Sequence, residues 1–214
     1  QAIFTTFTNI DRIDYKLSKV DRADFLTLVS PSNYKAWANY QPKDANLVRQ
    51  WSQAAKSSLN VTGLVSTTLS AGRLNPGVYF LQATAPGVSQ VARHLLVITG
   101  LNLTLKHTDD EALVWVTDLA SGKPIANVSL ALFDPNANAL ATGKSDQEGL
   151  FRAKIRLQGA YDNVYAVSEA SGQIVAAVGS DWSSGISPWD FNLPSARGGQ
   201  AVEHAVADGD ADAR

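Results

Sequence analysis

The 214 residues contain no cysteine and no methionine. Without cysteine the chain forms no disulfide, no thiolate metal site and no thiol nucleophile of its own. That absence assigns no compartment, since many exported domains fold without disulfides. Residue 1 is Gln rather than Met, as expected of a processed chain or a piece of a longer one. No charge of one sign accumulates: 18 Lys and Arg stand against 20 Asp and Glu, a net charge of −2. Nucleic-acid binding needs a basic face to neutralise phosphates, so it is not expected. No apolar run approaches the ~20 residues of a spanning helix, so no direct membrane insertion is expected either. Gln1-Ala2-Ile3-Phe4 lacks the basic-then-apolar order of a signal peptide.

Histidine is almost as scarce. His94 falls within an apolar strand pattern, His107 at a strand end beside Thr108 and Asp109, and His204 near the C-terminus. None stands near a nucleophile elbow of the G-x-S-x-G kind. A hydrolase needs a nucleophile, a base and an orienting group in one place, and no catalytic residue is assigned.

What the chain does have is apolar material. Apolar residues make up 45% and charged residues 18%, enough for a buried core in each of two domains of ordinary size. Ile3 to Phe7 is β-rich, and Ile13, Tyr15 and Leu17 alternate with Asp14 and Lys16, the pattern of a half-buried strand. A helical insertion is expected near 21–41. Asp21 caps it, Asp24 stands at capping-box distance, and Phe25, Leu28 and Val29 follow at helical spacing. Strands return at 47–51 and 60–69. Asn75-Pro76-Gly77 reads as a turn with Gly77 at positive φ, launching 78–83, and Pro86-Gly87 turns the chain into 91–98.

Thr99-Gly100 is too short for a flexible linker and marks a boundary with restricted orientation. Seven strands are expected after it, at 101–106, 112–118, 127–133, 138–143, 149–156, 163–168 and 173–178. Their separators are turn-formers, including Ser121-Gly122-Lys123-Pro124, Asp134-Pro135-Asn136, Asp146 to Gly149, Gly159 and Ser171-Gly172. Strands at this spacing without helices between them predict an antiparallel β-sandwich. Within it, "EALVWVTDLASGKPIANVSLALFD" (111–134) reads as a hairpin turning on Ser121 to Pro124.

Other candidates resolve to bland roles. Asp109-Asp110-Glu111 could hold Ca²⁺ or form a glycosidase pair, but adjacent strand positions point to opposite faces. Asp146-Gln147-Glu148-Gly149 lacks the alternating oxygen ligands of an EF-hand and suits a turn in which Gly149 takes positive φ. No metal site is expected. Asn60, Asn102 and Asn127 head formal glycosylation sequons. Tyr34, Trp37, Tyr40 and Trp51 suit either a sugar-stacking row or, at helical spacing, a packing stripe, and packing is preferred.

The stretch from Ile10 to Trp51 ("IDRIDYKLSKVDRADFLTLV…YKAWANYQP…LVRQW") resembles an N-terminal macroglobulin domain of bacterial alpha-2-macroglobulin-like proteins. "LNPGVYFLQATAPG" (74–87) is similar to a late strand of such a domain. "LNLTLKHTDDEALVWVTDLASGKPIANVSLALFD" with "ATGKSDQEGLFR" (101–152) resembles the next one and is the most specific part. The family implies a large exported protease trap of many macroglobulin domains, with a bait region and, in many members, a thioester made from Cys and Gln. Lacking Cys, this chain cannot form that thioester. No "YRPGQ"-type segment follows residue 194, so the tail departs from the family pattern.

The expected fold is all-β, with two tandem antiparallel β-sandwich domains of macroglobulin or fibronectin-like type. Residues 1–98 form the first, with its helical insertion, and 101–180 form a seven-stranded second. Residues 181–194, with Trp182, Trp189 and Phe191, are expected to lie extended against a neighbouring surface, and 195–214 to be a mobile tail. The resemblance implies a non-catalytic scaffold of a periplasmic or extracellular endopeptidase inhibitor, with no cofactor. Its partners would be sister macroglobulin domains, and proteases through the parent molecule. The alternative is an adhesin or carbohydrate-binding module with an exposed platform at Tyr34, Trp37 and Tyr40.

Overall fold

The computed structural model describes residues 2–30, 34–68, 74–157 and 163–182. The expected features at Pro31, Gly159 and 183–214, His204 among them, lie outside these residues.

The first half runs β1 (Ala2–Phe7), β2 (Arg12–Lys19), α1 (Arg22–Val29), α2 (Tyr34–Asn39), a 3₁₀ turn at Asp44–Asn46, β3 (Leu47–Ala54), β4 (Gly63–Thr68), β5 (Gly77–Thr84) and β6 (Ala92–Ile98). All its pairings are antiparallel, giving a two-stranded sheet β1-β4 and a four-stranded sheet β3-β2-β5-β6. In β2 the alternation read from the sequence holds. Ile13, Tyr15 and Leu17 are buried, whereas Arg12 and Lys16 are exposed. They join Phe7, Tyr79 and Leu81 in the core of this sandwich. Tyr15 lies opposite Trp51 in the register and stacks on it at 4.9 Å.

The second half runs β7 (Leu101–His107), β8 (Glu111–Asp118), β9 (Ser129–Phe133), β10 (Ala139–Lys144), β11 (Leu150–Lys154), β12 (Tyr165–Ala170) and β13 (Gln173–Gly179). A four-stranded sheet β10-β9-β12-β13 faces a three-stranded sheet β11-β8-β7. Between them Leu103, Leu105, Val114, Val116, Leu130 and Leu132 form the core.

Strands β5 and β12 carry buried apolar side chains on both faces. In β5, Tyr79 and Leu81 fill the first core, whereas Val78 and Phe80 point the other way. Around β12, Val164 and Ala166 enter the second core, whereas Tyr165 and Val167 leave it. The outward sets meet each other. Four layers of sheet therefore enclose three cores, and the middle one joins the two sandwiches.

The turns follow side-chain chemistry. Asp146 Oδ1 accepts from the Glu148 and Leu150 amides at 2.9 and 2.8 Å. Gly149 has the expected positive φ, +76°, and a Cβ there would stand 2.4 Å from the Val116 carbonyl oxygen. Ser171 and Gly172 both take positive φ, which suits the two-residue turn joining β12 to β13.

Two expectations are corrected. Gly77 does not take positive φ. It already belongs to β5, and the nearby turn is held by the Tyr79 hydroxyl, which donates to the Asn75 carbonyl at 2.8 Å. Nor is 111–134 a hairpin. β8 pairs with β7 and β11, whereas β9 pairs with β10 and β12 in the facing sheet. After Ser121 to Pro124 the chain makes one bridge, Thr117 to Pro124, and then crosses between sheets. Pro124 has no N–H with which to extend a ladder. Alternation shows which face of a strand is buried but not which sheet it joins.

Candidate interdomain interface

The middle core is the site that the fold constructs most elaborately, and it begins with α1. Asp21 accepts from the Asp24 amide at 3.0 Å, the expected N-cap. Asp24 does not close a capping box. Its carboxylate accepts instead from the Tyr40 hydroxyl at 2.8 Å, which fastens the segment after α2 to the first turn of α1. Burial raises the Tyr40 pKa above the ordinary tyrosine value, and the Asp24 hydrogen bond and negative charge push it the same way. Trp37 and Tyr40 meet Phe80 of β5 edge-on, with ring centroids 5.4 and 4.9 Å apart. These aromatics pack on a buried ring and do not form a free stacking row. The Tyr34 side chain lies outside the described residues.

Phe25, Leu26 and Leu28 of α1 are buried together with Phe133 of β9, Tyr165 and Val167 of β12, and Ile174 of β13. The helix is thus covered from both halves. The Tyr165 hydroxyl donates 2.8 Å to the Val29 carbonyl, close to the C-terminal end of α1, where helix carbonyls lack intrahelical partners. Burial and the charge of Asp181 push the Tyr165 hydroxyl up to about 12, against an opposing hydrogen bond from Asn163.

A polar rim surrounds this core. Arg22 pairs with Glu169 at 3.2 Å and places its guanidinium 5.7 Å from the Phe133 ring centroid. Lys19 donates to Gln173 across the same seam. Exposed pairs of this kind contribute little, roughly 0–1 kcal/mol, so they orient the halves while apolar burial holds them. The covalent junction is also restrained. Thr99 Oγ1 accepts from the Leu101 amide at 2.9 Å, and the Leu119 amide donates to the Gly100 carbonyl at 2.8 Å.

The polar candidates from the sequence are not brought together. His94 is exposed on β6, and the His107 ring lies against its neighbour's carbonyl, Nδ1 to Thr108 O at 3.2 Å. Asp110 accepts from the Thr108 hydroxyl at 2.8 Å, while the Asp109 and Asp110 carbonyls pair with the Leu157 and Ile155 amides. Asp118 accepts from the amide and hydroxyl of Ser121, first the hydroxyl and then the amide holding its pKa below the usual carboxylate value. Among the described residues no cluster of three His, Asp or Glu is arranged to hold a metal. Two sequon asparagines serve the backbone: Asn60 and Asn127 both take positive φ, and Asn60 exchanges hydrogen bonds with Asn9.

Sequence reasoning missed Phe133, Tyr165 and Arg22 as interface residues. A signal was present in Val78-Tyr79-Phe80-Leu81 and Val164-Tyr165-Ala166-Val167. Unbroken apolar runs mark strands buried on both faces rather than one.

The chain is thus a pair of antiparallel sandwiches joined through a helix-lined core, a fold like that of macroglobulin and NIE domains. Residues 98–198 match the family model described as the bacterial alpha-2-macroglobulin MG3 domain. Over the longer span the likeness is one of fold. A crystal structure of native Escherichia coli alpha-2-macroglobulin spanning domains NIE-MG1 aligns with TM-score 0.64 and 14% identity, covering 83% of this chain and 88% of that one. The MG0-NIE-MG1 structure from the same organism aligns at 0.65 and 14%, covering 83% and 57%. A mutant of Salmonella alpha-2-macroglobulin aligns at 0.67 and 16%, covering 92% of this chain but 12% of that one. The present chain therefore spans a small part of that protein. No curated protein matches the chain.

Proposed function

We propose that this chain is a two-domain, non-catalytic segment of the scaffold of an alpha-2-macroglobulin-like inhibitor that encloses endopeptidases in the bacterial cell envelope. The observation that carries this reading is the middle core. It couples two sandwiches of a shape that recurs in the alpha-2-macroglobulins of E. coli and Salmonella. The alignment with the NIE-MG1 structure covers most of both chains. The match of 98–198 to an MG3 domain model supports reading the second sandwich as a macroglobulin domain.

In this role the chain contributes shape rather than chemistry. A cage that closes on a protease needs walls that keep their mutual angle, and a buried apolar seam provides that. No helix among the described residues is long and apolar enough to cross a membrane. That fits a wall exposed to solvent and says nothing of anchoring elsewhere in the parent.

The test uses the parent protein. An endopeptidase is incubated with it and assayed on a protein-sized substrate and on a small peptide. Enclosure predicts loss of the first activity and retention of the second, whereas equal retention of both rejects the reading.

A further inference from the structure

The first sandwich is closed along one side and open along the other. Its sheet β3-β2-β5-β6 is four strands wide, whereas β1-β4 is two. On the β3 side, Trp51 Nε1 donates to Thr67 Oγ1 at 3.1 Å and Gln53 Nε2 to the Ser66 carbonyl at 3.0 Å, which ties β3 to β4. On the opposite side a mainly apolar cleft of about 480 Å³ lies between β1 and β6. Ile3 and Thr5 line it from β1, Leu81 and Ala83 from β5, and Arg93 and His94 from β6.

The backbone of β1 is free along this cleft. Among the described residues β1 pairs only with β4. Successive residues of an antiparallel strand direct their N–H and C=O alternately toward and away from the partner strand. The Ser66 carbonyl is turned toward β3, so Phe4, which pairs with Ser66, directs its own groups away from β4, and Thr6 follows by alternation. Natural edges are guarded by Lys, Pro or bulges. Ala2–Phe7 reads AIFTTF and pairs without a register shift, so it carries none of these guards. Phe4 is also 67% exposed on the outer face, where an added strand would place a side chain beside it.

We propose that the β1 edge binds an extended peptide segment of another polypeptide as a third strand of the β1-β4 sheet. Phe4 and Thr6 supply the main-chain hydrogen bonds, and the cleft takes alternate side chains of the segment, as in other cases of strand addition. The lining chemistry defines those side chains. Ile3, Leu81 and Ala83 suit apolar residues of modest size. Arg93 and His94 suit an acidic one: among the described residues no carboxylate lines the cleft, and Arg93 Nε is buried without a hydrogen-bond partner. The proposal is independent of the inhibitor reading.

The test uses the full chain and a capped peptide of about eight residues that alternates threonine and valine, with one valine replaced by aspartate. Binding is read by fluorescence anisotropy and by amide exchange. The free chain should exchange the Phe4 and Thr6 amides rapidly, and saturating peptide should slow them at least about tenfold. Thr6→Pro removes an N–H that the β1-β4 ladder does not use, so it should weaken binding about tenfold in a chain that stays folded. Thr6→Val should bind like the unchanged chain. Arg93→Gln should weaken binding of the aspartate peptide roughly threefold, and a lysine in place of the aspartate should do so in the unchanged chain. No binding of the aspartate peptide overturns the proposal. So does slow exchange of both amides in the free chain, or binding that neither Thr6→Pro nor Arg93→Gln weakens. A dimer of the chain that Thr6→Pro dissociates also overturns it, since that outcome assigns the edge to a second copy.

Discussion

The hydroxyl of Tyr165 donates to the backbone carbonyl of Val29 at 2.8 Å, across 136 residues of sequence and across the seam between the sandwiches. Replacing Tyr165 with Phe keeps the ring and removes the donor, leaving the Val29 carbonyl to lose a partner next to a buried core. Tyr165→Phe is expected to cost about 1–3 kcal/mol in urea denaturation at neutral pH, with an unchanged m-value. A midpoint equal to that of the unchanged protein would show that the bond does not support the interface.

The same hydroxyl predicts an alkaline dependence. Its pKa rises from the ordinary 10.0 to about 12 in the folded chain. The folded state therefore holds this proton more tightly than the unfolded state does. Its contribution is fully present below pH 10 and is lost as pH climbs toward 12. Tyr40 and Tyr79 are shifted in the same direction, chiefly by burial. Stability should decline across this window, and more shallowly in Tyr165→Phe. Parallel pH profiles for the two proteins would remove Tyr165 as a contributor.

Phe80 is fully buried beneath both Trp37 and Tyr40. Phe80→Ala opens a cavity in the middle core and should cost about 3–5 kcal/mol. Fluorescence should register greater solvent access to tryptophan as the support for Trp37 is lost. A loss below about 1 kcal/mol, the scale of an ordinary surface change, would mean that the helices rest on the sheet without depending on it.

At Gly149 two constraints act together. Its φ is +76°, and any Cβ would collide with the Val116 carbonyl at 2.4 Å. Gly149→Ala is expected to cost more than the roughly 1 kcal/mol of unfavourable φ alone. Gly87 supplies the comparison, since its φ is +75° with open space around the Cβ position. Gly87→Ala should therefore be the milder change in the same thermal melt, and the reverse order would contradict this account of the turn.

Much of each sandwich was legible in the sequence because one-sided burial leaves a period-2 trace, as in Ile13-Asp14-Tyr15-Lys16-Leu17. Capping and turn chemistry were legible for the same local reason, at Asp21, Gly149 and Ser171-Gly172. The false hairpin at 111–134 arose where local pattern ends. Val114 and Leu130 bury their faces in one core from opposite sheets, and periodicity is identical for a strand beside its neighbour and one facing it. The interface was harder still, since Phe133, Tyr165 and Phe25 meet only after both sandwiches form. Asp24 illustrates the limit: its spacing suited a capping box, but Tyr40 claimed its carboxylate.

The central claim is that the middle core makes the two sandwiches one mechanical unit. Hydrogen exchange followed through a urea titration tests it directly, reading amides of β2 and β5 in the first sandwich and of β8 and β12 in the second. A single unit predicts that the most protected amides of both sandwiches lose protection together, at one midpoint, and that Phe80→Ala shifts both. Separate midpoints, with Phe80→Ala moving only the first, would show two independent domains that merely touch.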